Sequence, residues 1–221
     1  EYSQKEVHPI RQAAFSKFLK IGLPTKKWEE WRFTDLSVIK KVNFKIPEIK
    51  NTPEEKVDLS RFGMNDTIDI IFFNGNFQKD ISSAPKDAKL LTGLEYLQMK
   101  NKPFDHSDDS PFALLNTAFM DSGMSLVIPE NIHIEKPIRF LFISTSKENL
   151  MVSPIVYIDL GESASASFVE HHVGESGSYF QNGSTNINLS QNAQLDHIRI
   201  QENSERFVDM ARLDVKQKSN S

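Results

Sequence analysis

The chain predicts a mainly β protein, a β-solenoid preceded by a small helical N-terminal region, and three observations predict it. Apolar residues recur at helical spacing over residues 2–20, an Asn-Gly turn sits between apolar runs near residue 75, and an internal repeat runs from Met124 to the end. The predicted division is a helical region over 1–123, carrying a β-hairpin near 68–80, followed by β-helix coils over 124–221.

In the first segment Val7, Ile10, Ala14, Phe15, Phe18 and Leu19 fall close to the i, i+3, i+4, i+7 pattern of a helix with one buried face. Gly22 and Pro24 end it, because glycine suits the left-handed cap and proline cannot continue the ladder. Thr25 is placed to cap a short second helix through Trp31, with Glu29 and Glu30 near its positive end. Trp28 and Trp31 are then expected to pack on the first helix, and a contact surface for a partner is the other reading. Residues 43–62 read as an extended surface connection. In IDIIFFNGNF, residues 68–77, five apolar residues lead into Asn74-Gly75, the pair best suited to the positive dihedrals of a two-residue turn. Pro111 opens a helix over 111–120, and the stretch from Asp121 to Gly123 stops it.

From Met124 the helical period disappears. LVIPENIHI (126–134), IDLGESASA (158–166) and INLSQNAQL (187–195) align, with Ile128, Leu160 and Leu189 equivalent, and LDVKQKS (213–219) starts a fourth copy 26 residues after the third. Variable spacing argues against rigid helical arrays and suits a solenoid of short strands joined by polar corners. Such a copy buries its inward residues only by stacking on its neighbours, and Ala164, Ala166 and Ala193 allow close stacking. A β-sandwich or jelly roll is the competing architecture, since short strands at similar spacing describe it too. A solenoid also needs its last coil covered, so a sequence stopping at Ser221 inside the fourth copy is expected to be a fragment of a longer protein or to be completed by a partner.

Composition narrows function. With Lys+Arg 26 against Asp+Glu 30, a formal charge of −4 and no basic run longer than two, the chain lacks the concentrated positive field that nucleic acid requires. It contains no cysteine, so thiolate chemistry would have to come from a partner. No apolar run approaches the roughly 20 residues that span a bilayer, and no secretion signal is visible, so a cytoplasmic protein without a membrane partner is expected.

Six histidines invite a metal reading: His8, His106, His133, His171, His172 and His197. Neighbours in a strand point to opposite faces, so His171 and His172 cannot chelate one ion together, and solvent-facing or corner histidines are expected. The His-any-His spacing of a cupin oxygenase is absent. A polysaccharide-binding or polysaccharide-cleaving β-helix would need convergent carboxylates on successive coils. Asp159 aligns instead with Asn188, and Glu170 with Arg199, the latter read as a cross-coil ion pair on the outer surface; Asp196 and Arg199 stay as possible site members. There is no phosphate-binding loop and no serine in a nucleophile elbow. The residues therefore predict no catalytic side chain and no metal ligand, leave cofactor-binding residues unknown, and favour a scaffold over an enzyme.

LPTKKWEEWRFTDLS, residues 23–37, resembles the N-terminal signature of the SufB/SufD family of iron-sulfur cluster assembly proteins, with Leu23, Pro24, Glu30, Trp31, Arg32, Phe33, Thr34, Asp35 and Leu36 matching in order. FNGNF (73–77) and ALLNTAFMDSGMSLVIPENIHIEKPI (113–138) are also similar to that family. The resemblance implies a right-handed parallel β-helix after the helical region. It further implies a SufD-like scaffold subunit without catalysis of its own, working with a SufB-like paralogue and the ABC-type ATPase SufC, with a homodimer compatible in isolation. The lack of cysteine favours SufD over SufB, whose function needs a thiolate. On this reading the chain alone binds no cofactor, a cluster is present only transiently in the assembled complex, and the sequence ends before the family's C-terminal helical region, where ATPase docking would lie.

Overall fold

The computed structural model describes residues 4–47, 58–100, 109–120, 123–145, 148–203 and 205–221. Four helices, α1 (Gln4–Ile21), α2 (Ser37–Lys41), α3 (Gly93–Lys100) and α4 (Pro111–Phe119), accompany eleven strands. These are β1 (Ile68–Phe73), β2 (Asn76–Phe77), β3 (Lys89–Thr92), β4 (Met124–Ile128), β5 (Ile138–Thr145), β6 (Leu150–Val152), β7 (Ile155–Leu160), β8 (Ser165–Ser176), β9 (Tyr179–Leu189), β10 (Gln194–Glu202) and β11 (Phe207–Gln217).

The strands form two sheets, ordered β10-β8-β5-β1-β2 and β11-β9-β7-β4-β3, with β6 beside β9. From β4 to β11 the chain passes back and forth between them, β6 and β7 both falling in the β9 sheet, and neighbouring strands within each sheet run parallel, as stacked coils require. The repeat is thus a β-solenoid, not a sandwich of antiparallel sheets. Ile128, Leu160 and Leu189 stand in one column. The fourth copy differs from the expected alignment: Ile187 pairs with Val215, an offset of 28, and Leu213 faces Thr185. A two-residue slip keeps every side chain on its face, so apolar patterning alone does not detect it.

One corner repeats in every coil. Asn131, Ser163, Asn192 and Asn220 all take left-handed backbone, φ between 57° and 60°, a conformation asparagine tolerates better than most residues. Gly161, Ser190 and Lys218 each donate their N–H to the last strand carbonyl of the coil before, at Ile128, Leu160 and Leu189, over 2.8–3.0 Å. Gly161 is required by space: a Cβ there would stand 2.4 Å from Glu130 N.

Between the sheets lies an apolar stack of Ile70, Phe72, Leu126, Ile138, Phe140, Phe142, Ile158, Phe168, Ile187 and Ala193, all buried. Phe140 meets Phe168 edge-on at 4.9 Å, and Phe72 stacks on Phe142 at 4.6 Å. Each buried ring contributes about 2 kcal/mol by area. At the N-terminal end the stack is closed by antiparallel strands, β2 on β1 and β3 on β4, which blunt both sheet edges. The expected hairpin is present, with Asn74 and Gly75 at φ 47° and 81°, and its first strand joins the solenoid by pairing in parallel with β5.

The helices cover the outer face of the β9 sheet. α1 ends on Gly22 at φ 71°, as its sequence predicts, and Ala14 packs against Leu114 and Ala118 of α4. α4 is docked by reciprocal amides: Asn116 Nδ2 donates to Asn182 O at 2.5 Å, and Asn182 Nδ2 to Phe112 O at 2.9 Å. The tryptophan segment differs from its expected helix. It is a single 3-10 turn over Glu29–Trp31 that begins at Trp28, while Thr25 accepts from Lys27 N at 3.3 Å. Trp31 packs on Phe112 of α4, ring centroids 5.0 Å apart, in a cluster that includes Phe18 of α1; Trp28 and Phe33 are exposed. The extended connection is partly tied down, since Lys45 bridges to Leu150, and Phe62 is buried against Leu141 and Ile143; its residues 48–57 lie outside those described.

Candidate functional site

Period-2 alternation fixes what faces the space between the sheets. On β8, Phe168 is inward, so Glu170 and His172 are inward too; on β10 their register partners are His197, Arg199 and Gln201. Along the coils the lumen therefore changes from Phe140 and Phe142 to Glu170 and His172, and then to Arg199 and Gln201.

These side chains form one network. Arg199 Nη1 donates to Glu170 Oε2 and Nη2 to Asp209 Oδ2 of β11, both at 2.7 Å. Gln201 Nε2 donates to the same Asp209 oxygen at 2.5 Å. Thr185 of β9 donates to Glu170 Oε1. His172 stacks on Phe142 with ring centroids 4.7 Å apart, places Nε2 3.4 Å from Glu170 and faces Gln181 Nε2 with Nδ1 at 2.8 Å. His197 stacks on Phe168 at 5.5 Å, with Nε2 3.5 Å from Glu170 Oε1, too long for a good hydrogen bond.

Burial by itself would push the Glu170 carboxyl up. The hydrogen bonds from His172 and Thr185, with the His197 imidazole close by, outweigh burial and hold it well below the usual carboxylate range. Glu170 is thus a buried anion fixed by several donors, a structural knot between coils.

Two expectations change here. The pair of Glu170 and Arg199 exists, but in the lumen and not on the outer surface, with Glu170 only 1% exposed. His171 and His172 are buried, neither solvent-facing nor at a corner, and they do point to opposite faces. On the outer side His171 Nε2 meets Glu202 at 2.7 Å, and its Nδ1 faces the buried Arg139, which also donates to Asp69 and to Phe62 O. Asp196 and Arg199 do not share a site. Asp196 points outward within 3.5 Å of Ser167 Oγ, while Arg199 points inward.

Asp159 does face Asn188, at 2.7 Å, and also accepts from Tyr96 and pairs with Lys100 at 2.5 Å, which docks α3 on β7. His133 bonds Ser165 at an exposed corner, His8 is exposed, and His106 lies outside the described residues. Among the described residues no group of three or more His, Asp or Glu side chains converges in metal-binding geometry, and no helix is long and apolar enough to cross a membrane. Sequence reasoning missed Asp209, Gln181 and Thr185 as members of the lumen cluster. The register of the fourth coil pairs Asp209 with Gln181, and Thr185 lies on the same face of β9 as Gln181.

Fold and cluster together define a parallel β-solenoid with helices docked on one outer face and a lumen that turns from apolar to charged along its axis. A family model described as SufBD protein N-terminal region matches residues 1–140, and one described as SUF system FeS cluster assembly, SufBD core domain, matches residues 142–221. The chain belongs to the SufBD family. It is 28% identical over 221 residues to an iron-sulfur cluster assembly SufBD family protein of Synechocystis, covering 88% of this chain and 47% of that protein. It is 24% identical to iron-sulfur cluster assembly protein SufD of Escherichia coli over 196 residues, covering 87% and 45%, and 24% identical to chloroplastic protein ABCI7 of Arabidopsis thaliana over 216 residues, covering 88% and 44%. The chain spans about half the length of the curated relatives it matches.

Proposed function

We propose that this chain is part of a SufD-like scaffold subunit of SUF iron-sulfur cluster assembly, acting with a cysteine-bearing SufB-like paralogue and a SufC-like ATPase in the cytoplasm. The observation that carries the reading is the absence of cysteine from all 221 residues of a chain in this family. A thiolate is the usual protein ligand of an iron-sulfur cluster, so this stretch contributes shape and contacts, and the sulfur ligand comes from outside these residues. The cluster is cargo of the complex and not a resident group of this chain, which performs no catalysis itself. The lumen supports that role, because Glu170 and Asp209 are both engaged by Arg199.

Disrupting the gene tests the proposal: the activities of iron-sulfur enzymes should fall together while enzymes without clusters keep theirs. Unchanged cluster enzymes combined with altered cell-surface or storage glycan would instead favour the polysaccharide reading. Nothing in the geometry favours that reading now, since Asp159 and Glu170 are each satisfied by a neighbour on the next coil rather than converging.

A further inference from the structure

Asn-Gly occurs at two places in the chain, and their surroundings differ. Asn74-Gly75 is the half-buried turn between β1 and β2, whereas Asn182-Gly183 lies within β9 with Asn182 buried. The Asn74 side chain does more than suit a left-handed backbone. It pairs with Thr145 as a strand residue would: Thr145 N donates to Asn74 Oδ1 at 3.0 Å, and Asn74 Nδ2 donates to Thr145 O at 2.9 Å. Its own N–H donates to Ile143 O at 2.8 Å. The amide thus adds one rung to the β1–β5 ladder beyond Phe73 and Ile143, at the point where β5 shifts register against β8.

An asparagine followed by glycine is open to intramolecular attack, because no side chain shields the glycine nitrogen. That nitrogen adds to the asparagine side-chain carbonyl carbon and a new N–C bond forms. The bond from this carbon to Nδ2 breaks, and ammonia leaves with the proton of the glycine N–H. Water then opens the five-membered succinimide at either carbonyl, giving aspartate or isoaspartate. In the fold the Asn74 amide cannot swing onto Gly75 while Thr145 holds both its oxygen and its nitrogen.

We propose that Asn74-Gly75 is a self-modification site gated by this latch, and that conversion makes opening of the turn irreversible. Aspartate keeps an acceptor for Thr145 N but sets its second oxygen against Thr145 O, where a donor stood. Isoaspartate adds a methylene to the main chain and breaks the two-residue turn. Asn182 is the internal reference: its Nδ2 donates to Phe112 O and its carbonyl accepts from Asn116, so it is released only when α4 leaves β9. This site is independent of the proposed scaffold role.

Peptide mapping of the full chain after incubation in mildly alkaline buffer, with and without urea, tests it, the aspartate and isoaspartate forms being resolved by chromatography. In urea the two Asn-Gly pairs should convert at similar rates. In the native chain both should slow, Asn74 by at least about tenfold and Asn182 further, because opening a turn costs less than undocking a core strand. A second arm is Asn74→Asp. Protection of the Gln78 N–H, which closes the hairpin on Ile71 O at 2.8 Å, should fall about tenfold in that variant as an acceptor meets an acceptor. Native conversion at Asn74 as fast as in urea, native conversion no faster than at Asn182, or undiminished protection in Asn74→Asp overturns the proposal.

Discussion

Glu170 and Arg199 face each other on adjacent coils at 2.7 Å inside the solenoid, where the preceding coil stacks phenylalanines. Removing Arg199 strands both Glu170 and Asp209, whereas removing Glu170 leaves Arg199 its bond to Asp209. Arg199→Met should cost about 3 kcal/mol, which lowers the melting temperature by roughly 6–12 °C for a chain of this size, and Glu170→Gln should cost less. The double variant Glu170→Gln/Arg199→Met should lose at least about 1 kcal/mol less than the sum of the two single losses. Additive losses in denaturant unfolding would mean that the pair is not coupled.

Acid should act on the same carboxylate. A carboxyl held below its ordinary value contributes stability that is fully present above the unfolded value near 4.5 and is lost as the pH falls through the folded one. The β8–β10 contact should thus survive to pH 4 and open only in stronger acid. Amide exchange followed down the pH scale checks this, and opening of these strands at pH 5 would contradict it.

At the corner, Gly161→Ala should destabilise by about 2–3 kcal/mol, because the new methyl meets the backbone of Pro129 and Glu130 and neither can retreat. Gly183→Ala is the control. Its Cβ would find ordinary contact, 3.6 Å from Pro154, so its urea midpoint should stay close to that of the parent.

In the signature segment, Trp31→Ala should cost about 2 kcal/mol through the lost packing on Phe112. Phe33→Ser, at a ring 88% exposed beneath Arg32, should leave the melting temperature within about 2 °C of the parent. Equal losses from the two would place Phe33 in the core and contradict the packing described.

Much of the solenoid was legible because its corners use residues with a distinctive backbone preference. Asn131, Asn192 and Asn220 recur where the chain must turn left-handed, and the alanines mark close stacking. The fourth copy was misregistered by two residues, since its half-exposed Leu213 and Val215 offer little to choose between slips of two. The charged lumen was not legible. Strand alternation says that Glu170 and Arg199 share a face but not which face, and charged residues default to the outside unless partners such as Thr185 and Asp209, distant in sequence, are known. The short elements α2, α3 and β3 escaped for another reason: they are held by tertiary contacts such as Ile39 in its cluster and Tyr96 on Asp159 rather than by a local pattern.

The central claim is the scaffold role, and affinity capture of the full-length native protein from its own cells, with every co-eluting chain identified by mass spectrometry, tests it most directly. The account predicts an ABC-type ATPase together with a cysteine-containing paralogue of this chain. Recovery of the protein alone, or with bound glycan, would contradict it.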